Sequence, residues 1–154
     1  MAQIRCEVIT AERKVFEDDV DMVVAPGVGG QLGILPHHAP LMTSLTFGEL
    51  IIHRESMPDE HIAIGGGFME VGPEHVTILA DSAERAAEID IARAEAAQRR
   101  AQEAMAQKQR QDIDFIRAEA ALRRSMIRLK VAKRRRRAGS RAPGSGGPSP
   151  TAEQ

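Results

Sequence analysis

Residues 76–94 read VTILADSAERAAEIDIARA, and the change of pattern within this stretch decides how the chain folds. The aliphatic and β-branched residues up to Ala80 complete a strand pattern that begins at His75. From Glu88 to Arg110 the chain has no Gly or Pro and is rich in Ala, Glu, Gln and Arg, which favour a helix. We therefore expect a boundary near residue 86 between a β module and a helical module.

Toward the N-terminus, the chain consists of short strand patterns separated by turns. The segment Gln3–Thr10 alternates apolar and polar residues, which is typical of a half-buried strand. Turn residues recur roughly every 8–12 positions up to Ala80, and no helical pattern intervenes. This arrangement predicts an antiparallel β-sandwich or flattened barrel. Its core must be aliphatic, because the chain has four Phe and no Trp or Tyr.

Toward the C-terminus, the pattern predicts a pair of helices that form an antiparallel hairpin. The first helix covers Glu88–Arg110, and Asp90 is placed to cap its start. The second helix covers Asp114–Ala132. A seam rich in alanine buries little apolar area, so we expect the hairpin to hold weakly and to be able to open. The predicted apolar stripe of the second helix is Phe115, Ala118, Leu122, Met126 and Leu129.

The two modules also differ in charge. The net charge is −9 up to Arg85 and +8 from Ala86 onward. The basic module ends in a cationic run at 133–137 and in a segment rich in Gly, Ser and Pro, which is typical of disorder. We therefore divide the chain into a β-sandwich domain at 1–86, a helical arm at 87–133 and a disordered tail at 134–154. An acidic module joined to a basic one suggests a protein that works between partners.

Composition also limits the setting in which the chain works. Its one cysteine, Cys6, excludes an internal disulfide and fits a reducing compartment. No apolar run approaches the ~20 residues that span a bilayer. The N-terminus lacks the layout of a signal peptide. We expect a cytoplasmic chain that could still dock on a membrane complex.

No motif in the sequence predicts catalysis or a metal site. The run Gly65–Gly67 lacks the Lys-Ser/Thr and the helix of a phosphate loop, so a tight turn or bulge is favoured. Adjacent His37 and His38 would point apart on a strand, and no other Cys/His cluster accompanies them. Nothing supports a Ser–His–Asp triad beyond the presence of those residue types.

Two positively charged features each allow two interpretations. Asp90 and Arg93 share one face of the first helix. They could form a helix cap with a surface ion pair, or they could belong to a nucleotide pocket to which Arg100, Arg124 and Arg128 add charge. Spacing alone favours the cap. The cationic series from Arg117 to Arg137 fits an acidic protein partner. It also allows an alternative function, in which a stand-alone binding module docks on nucleic acid or an anionic membrane through its basic helix and tail.

Several segments resemble the epsilon subunit of F-type, rotary ATP synthases. They are GQLGILPHHAPL at 30–41, GGFMEV at 66–71, VTILADSAE at 76–84, IDIARA at 89–94 and the arginine-rich 121–129. They follow the family's order over about residues 3–133. The resemblance implies a ten-stranded β-sandwich followed by a two-helix hairpin, hence an α+β fold. It also implies a non-catalytic subunit in the central stalk, peripheral to the cytoplasmic face of the cell membrane.

The resemblance further implies partners and site residues. The subunit would bind the gamma subunit, the ring of c subunits and the alpha/beta catalytic head, but no nucleic acid. It would couple ring rotation to ATP synthesis and restrain ATP hydrolysis through the hairpin, which in some bacterial members folds down when ATP binds. No cofactor or metal is required, and a regulatory ATP is possible. The implied ATP contacts are Glu84, Ile89, Asp90, Arg93, Ala94, Arg100, Arg124 and Arg128. The implied contact loop for the c ring and gamma contains Gly30, Gln31, Leu32, Gly33, Pro36, His37 and His38, and the implied inhibitory contacts to the head are Arg117, Arg123, Lys130 and Lys133.

Overall fold

The computed structural model describes residues 2–107 and 112–139 and contains eight strands followed by two helices. The α+β class predicted from the sequence is therefore confirmed. The strands are β1 (Ile4–Ile9), β2 (Lys14–Val20), β3 (Met22–Gly27), β4 (Gly30–Ile34), β5 (Leu41–Arg54), β6 (Met57–Val71), β7 (His75–Ala80) and β8 (Ala83–Arg85). A 3₁₀ turn (Ala86–Glu88) leads into the helices α1 (Ile91–Ala106) and α2 (Ile113–Gly139).

The strands form one sheet that folds over on itself. Their order is β2-β1-β7-β6-β5-β3-β4, and β8 pairs with β6 outside this path. The described strands β2 and β4 lie at the two ends of the path, so the sheet is an open sandwich rather than a flattened barrel. The prediction of purely antiparallel pairing is wrong for β1 and β7, which run parallel. The long chain between these two strands allows both to run in the same direction.

The resemblance implies ten strands, whereas the described residues contain eight. The sequence pattern separates 41–45 from 47–53 and 61–64 from 68–71 at glycines, but β5 is continuous from Leu41 to Arg54 and β6 from Met57 to Val71. Gly66 and Gly67 have φ values of 109° and 127°, which glycine adopts without a Cβ clash. The strand can therefore bend at the glycine run without ending there.

This bend brings two layers together around one core. Before the bend, residues 62–64 of β6 pair with β8, and after it residues 67–71 pair with β7. Side chains from both layers point inward, and the core is aliphatic as predicted. Cys6, Leu50, Ile62, Met69 and Ile78 are all fully buried in it. The sandwich is thus a rigid platform for the loops and the arm that it carries.

The helices differ from prediction mainly at their ends. α1 begins after the predicted cap, Asp90, rather than at Glu88, because residues 86–88 form a separate 3₁₀ turn. It ends at Ala106, and the predicted end at Arg110 lies outside the described residues. α2 extends to Gly139, so residues 134–139 are helical rather than part of a disordered tail. The Lys and Arg residues of this segment are good helix formers. The rest of the predicted tail, 140–154, lies outside the described residues.

The predicted hairpin is confirmed, and the predicted stripe of α2 is buried at Ala118 and Leu129 but exposed at Met126. α1 packs on α2, and the alanines Ala94 and Ala101 of α1 are buried. On α2 Met126 is 51% exposed, whereas Ser125 is buried. The Ser125 hydroxyl donates a hydrogen bond to the Leu122 carbonyl at 2.8 Å, which satisfies this polar group in the seam. The buried residues of α2 are Ala118, Ser125, Leu129, Val131 and Ala132.

The arm lies folded against the sandwich. Val131 and Ala132 of α2 are buried in a small cluster with Ala63 of β6 and with Ile89, which precedes α1. This second cluster is separate from the main core. Neither described helix combines the length and the apolar character that crossing a membrane requires.

Candidate functional site

Asp90 performs the capping function that the sequence predicts. Its Oδ1 accepts a hydrogen bond from the backbone N–H of Arg93 at 3.0 Å, which satisfies one of the free donors at the start of α1. The Arg93 side chain is exposed and forms no ion pair within the described residues, so the predicted surface pair with Asp90 is not formed. Ile89, directly before the cap, is buried between arm and sandwich.

Glu84 and Arg128 join the sandwich to the arm. Arg128 Nε and Nη2 of α2 donate to the two carboxylate oxygens of Glu84 at 2.6 and 3.0 Å. The hydrogen bonds that Arg128 donates to Glu84 raise the pKa of Arg128 above its ordinary value, and the negative charge of Asp90 adds to this effect. Such a two-point pair fixes both distance and orientation. Glu84 and Arg128, two of the eight predicted ATP contacts, are therefore in contact with each other across the interface between arm and sandwich.

A cavity of about 310 Å³ lies beside this pair, between α2 and the sandwich. Three of the eight predicted ATP contacts, Glu84, Arg124 and Arg128, line it. The other five lie just before α1 or along it and do not line the cavity. The cavity wall also contains polar residues that the sequence did not suggest: Thr10, Glu12, Arg13, Asp81 and Ser82.

Three arginines of the predicted ATP set carry unneutralised charge. Arg93, Arg100 and Arg124 are exposed and have no ion-pair partner among the described residues. Arg93 and Arg100 are seven residues apart and therefore share one face of α1. With Arg124 on the neighbouring helix, the arm offers cationic groups to an anion such as a polyphosphate. The structure does not bring them into one closed pocket with Glu84.

A second set of ion pairs fixes the junction between sandwich and arm, and sequence reasoning missed it. Arg13 donates to both carboxylate oxygens of Glu88 at 3.0 and 2.6 Å, and these bonds lower the pKa of Glu88 below its ordinary value. Arg85 donates to both oxygens of Glu60 at 2.7 and 2.9 Å. The pairs hold the 3₁₀ turn on the sandwich, so an arm movement would turn about the residues just after Glu88. Contacts this distant in sequence leave no local signal.

The predicted contact loop lies at one end of the sandwich. Gly30, with φ 131°, starts β4 after a tight turn in which Val28 is 68% exposed. After β4, His37 adopts φ 63° and its N–H donates to the Pro73 carbonyl at 3.0 Å. The segment therefore has a defined shape with an exposed tip. Within the described part of the chain, no three His, Cys, Asp or Glu side chains form a group that could hold a metal ion.

One layer of the sandwich carries an exposed apolar face. Phe68 on β6 is directly paired with Leu79 on β7, and Met42 on β5 lies diagonal to Phe68. They are 58%, 55% and 71% exposed, while their neighbours Met69 and Ile78 point into the core. Sequence analysis did not identify this face. The sequence feature that could have revealed it is a large apolar residue at the outward, normally polar, positions of neighbouring strands.

The four cations predicted to meet the catalytic head lie on the surface of α2. Arg117 and Arg123 pair with acids of the same helix, Asp114 at 3.8 Å and Glu119 at 3.4 Å. Lys133 is exposed. Lys130 differs, because its Nζ is 3.4 Å from Glu49 of the sandwich. These cations are thus available at the surface, except that Lys130 is engaged by the sandwich.

Fold and site together define a β-sandwich that carries an exposed apolar face and a two-helix arm folded against it. The model of the ATP synthase delta/epsilon chain beta-sandwich domain matches residues 3–86, and that of the corresponding long alpha-helix domain matches residues 87–133. An ATP synthase epsilon chain of Dehalococcoides mccartyi is 52% identical over 89% of this chain and 97% of its own length. One from Herpetosiphon aurantiacus is 56% identical over 86% and 96%. A chain in the mitochondrial ATP synthase structure of Euglena gracilis has the same fold, with a TM-score of 0.73 and 24% identity over 86% of this chain and 82% of that one.

The chain belongs to the delta/epsilon chain family of ATP synthases. The resemblance to the epsilon subunit drawn from the sequence is therefore confirmed. The alternative of a stand-alone module for nucleic acid or membrane is not supported.

Proposed function

We propose that the chain couples rotation of the proton-driven c ring to ATP synthesis as the epsilon subunit of the central stalk. The exposed apolar face of Met42, Phe68 and Leu79 would bind the gamma subunit, because contiguous exposed apolar surface marks a protein interface. The exposed tip around Gly30 and the turn at His37 would rest on the ring. The chain would thus be peripheral to the cytoplasmic face of the cell membrane, held there by the complex.

The arm would act as an ATP-responsive brake on hydrolysis. The observation that carries this proposal is the set of unpaired arginines on the arm, Arg93 and Arg100 on α1 and Arg124 on α2. Arg124 lines the cavity that also contains the Glu84–Arg128 pair. A nucleotide held there would contact both helices and the sandwich, and would favour the folded arm. With the arm extended, Arg117, Arg123, Lys130 and Lys133 would be free to contact acidic groups of the catalytic head. ATP can shift this balance only by binding the folded state more tightly.

Calorimetric titration of the full chain with ATP tests the nucleotide site. We expect saturable binding that is lost in Arg93→Ala and weakened at least about tenfold in Asp90→Asn. The asparagine variant is informative because Asn caps a helix about as well as Asp, so α1 stays intact while the charge is removed. Arg99→Ala serves as the matched control, since Arg99 is an exposed arginine of α1 outside the predicted set. No binding by the unmodified chain, or equal loss in the Arg99 variant, would contradict the site.

A further inference from the structure

Glu49 is the one buried charged side chain among the described residues, with 3% of the residue exposed. It lies on β5 next to Leu50, which points into the main core, so Glu49 points to the outer face of the sandwich. Its register partner on β6 is Ala63, which is buried under α2. The arm is therefore what covers this carboxylate.

The carboxylate of Glu49 has partners on both sides of the interface. On the sandwich, His61 Nδ1 lies 2.8 Å from Oε1. On the arm, Arg134 Nε is 3.4 Å from Oε1 and Lys130 Nζ is 3.4 Å from Oε2. Lys130 and Arg134 are four residues apart and thus share one face of α2. Glu49 and its two partners on the arm do not line the cavity beside Glu84.

Burial makes these contacts asymmetric. The side chains of Lys130 and Arg134 are about half exposed, at 51% and 49%, so each remains hydrated if Glu49 is lost. Glu49 has no such access to water while the arm is folded. A buried carboxylate without a compensating charge is strongly unfavourable. The two cations of the folded arm therefore add compensating charge to the His61 contact that Glu49 has within the sandwich.

We infer that Glu49 is a latch, a buried anion of the sandwich that holds the C-terminal half of α2 in the folded position through Lys130 and Arg134. The latch needs no nucleotide. Its role in regulation rests on the proposed function, since it matters only if the arm moves. Lys130 is also one of the cations proposed to face the catalytic head. It would exchange Glu49 for an acid of the head when the arm extends, which provides the differential contact that a two-state arm requires.

Amide hydrogen exchange of the isolated full chain tests the latch without ATP or partners. The readout is the exchange rate of residues 125–132, which include the buried part of α2. We expect the double variant Lys130→Met, Arg134→Met to increase opening of this segment roughly tenfold, because it leaves Glu49 buried without a cation. The control, Arg123→Met with Lys133→Met, removes the same charge from the same helix away from Glu49. It should leave the rate within about twofold.

The decisive measurement adds Glu49→Gln to the Lys130→Met, Arg134→Met background. Neutralising the buried acid should restore most of the slow exchange. Glu119→Gln changes the net charge of the chain by the same amount but at the surface of the arm, and it should not restore slow exchange. Unchanged exchange in the double variant would overturn the latch, as would faster exchange when Glu49→Gln is added. The cations are on the surface, so their removal does not threaten the sandwich core.

The same peptides separate this inference from the proposed function. ATP added to the unmodified chain should slow exchange at 125–132 if the nucleotide site exists. If ATP has no effect but the rescue by Glu49→Gln is seen, the latch stands and the nucleotide site fails. If ATP protects the segment but the cation variants leave exchange unchanged, the latch fails and the nucleotide site stands.

Discussion

Gly67 shows at the residue scale how one backbone position supports the sandwich. Its φ is 127°, and a Cβ added there would meet the Leu79 carbonyl oxygen and come within 2.8 Å of Ala80 Cα. Gly67→Ala should therefore cost roughly 3 kcal/mol of unfolding free energy, from the strained φ and the clash with β7. Urea unfolding of the full chain measures this. Gly29→Ala is the control, since no atom lies within 4 Å of a Cβ there, and an equal loss in both variants would contradict the steric explanation.

Two acids show which residue roles are readable from sequence alone. The capping role of Asp90 follows from a local rule, because a cap and the donor that it satisfies are three residues apart. Glu49 follows no local rule. On β5 it occupies an outward position, where an acid normally faces water, and only docking of a helix some eighty residues later buries it. Its pairing with Lys130 could not be predicted from spacing.

At the scale of elements, glycines and small polar residues misled the sequence pattern. The run Gly65–Gly67 has the composition of a turn, yet the neighbouring strands hold it within β6 as a bend. On α2, apolar character selected Met126 for the buried stripe, whereas Ser125 is buried instead and its hydroxyl donates to the Leu122 carbonyl. Element type was predictable from periodicity, and the exact strand count and buried face depended on packing.

The exposed face of β5, β6 and β7 gives a test of the proposed gamma contact. Phe68→Asp should weaken binding of gamma by at least about tenfold, because it places a charge within the apolar patch. Since Phe68 is 58% exposed, the unfolding free energy should change by no more than about 0.5 kcal/mol. Co-purification with gamma, followed by titration, measures the affinity. Met57→Asp, at a similarly exposed apolar position on another part of β6, should bind normally. Normal binding by the Phe68 variant would exclude this face as the contact.

At the scale of the whole molecule, sandwich and arm are joined by few, mostly electrostatic contacts. The main core contains no residue beyond Ala83, so the sandwich does not need the arm to fold. The arm is held by one small apolar cluster and by the pairs of Glu84 and Glu49. The junction pairs of Arg13 and Arg85 lie on the sandwich side. This division into a stable platform and a lightly held arm suits the proposed role, in which the sandwich would transmit torque while the arm changes position.

Truncation after Glu88 tests that division in the assembled enzyme. The shortened chain keeps the pairs Arg13–Glu88 and Arg85–Glu60 and should fold as a soluble sandwich that still binds gamma. Complexes rebuilt with it should sustain proton-coupled ATP synthesis. Their ATP hydrolysis should rise roughly fivefold or more over complexes with the full chain, because the proposed brake is absent. Equal hydrolysis with the full and shortened chains would show that the arm is no brake, and loss of synthesis with the shortened chain would mean that coupling needs more than the sandwich.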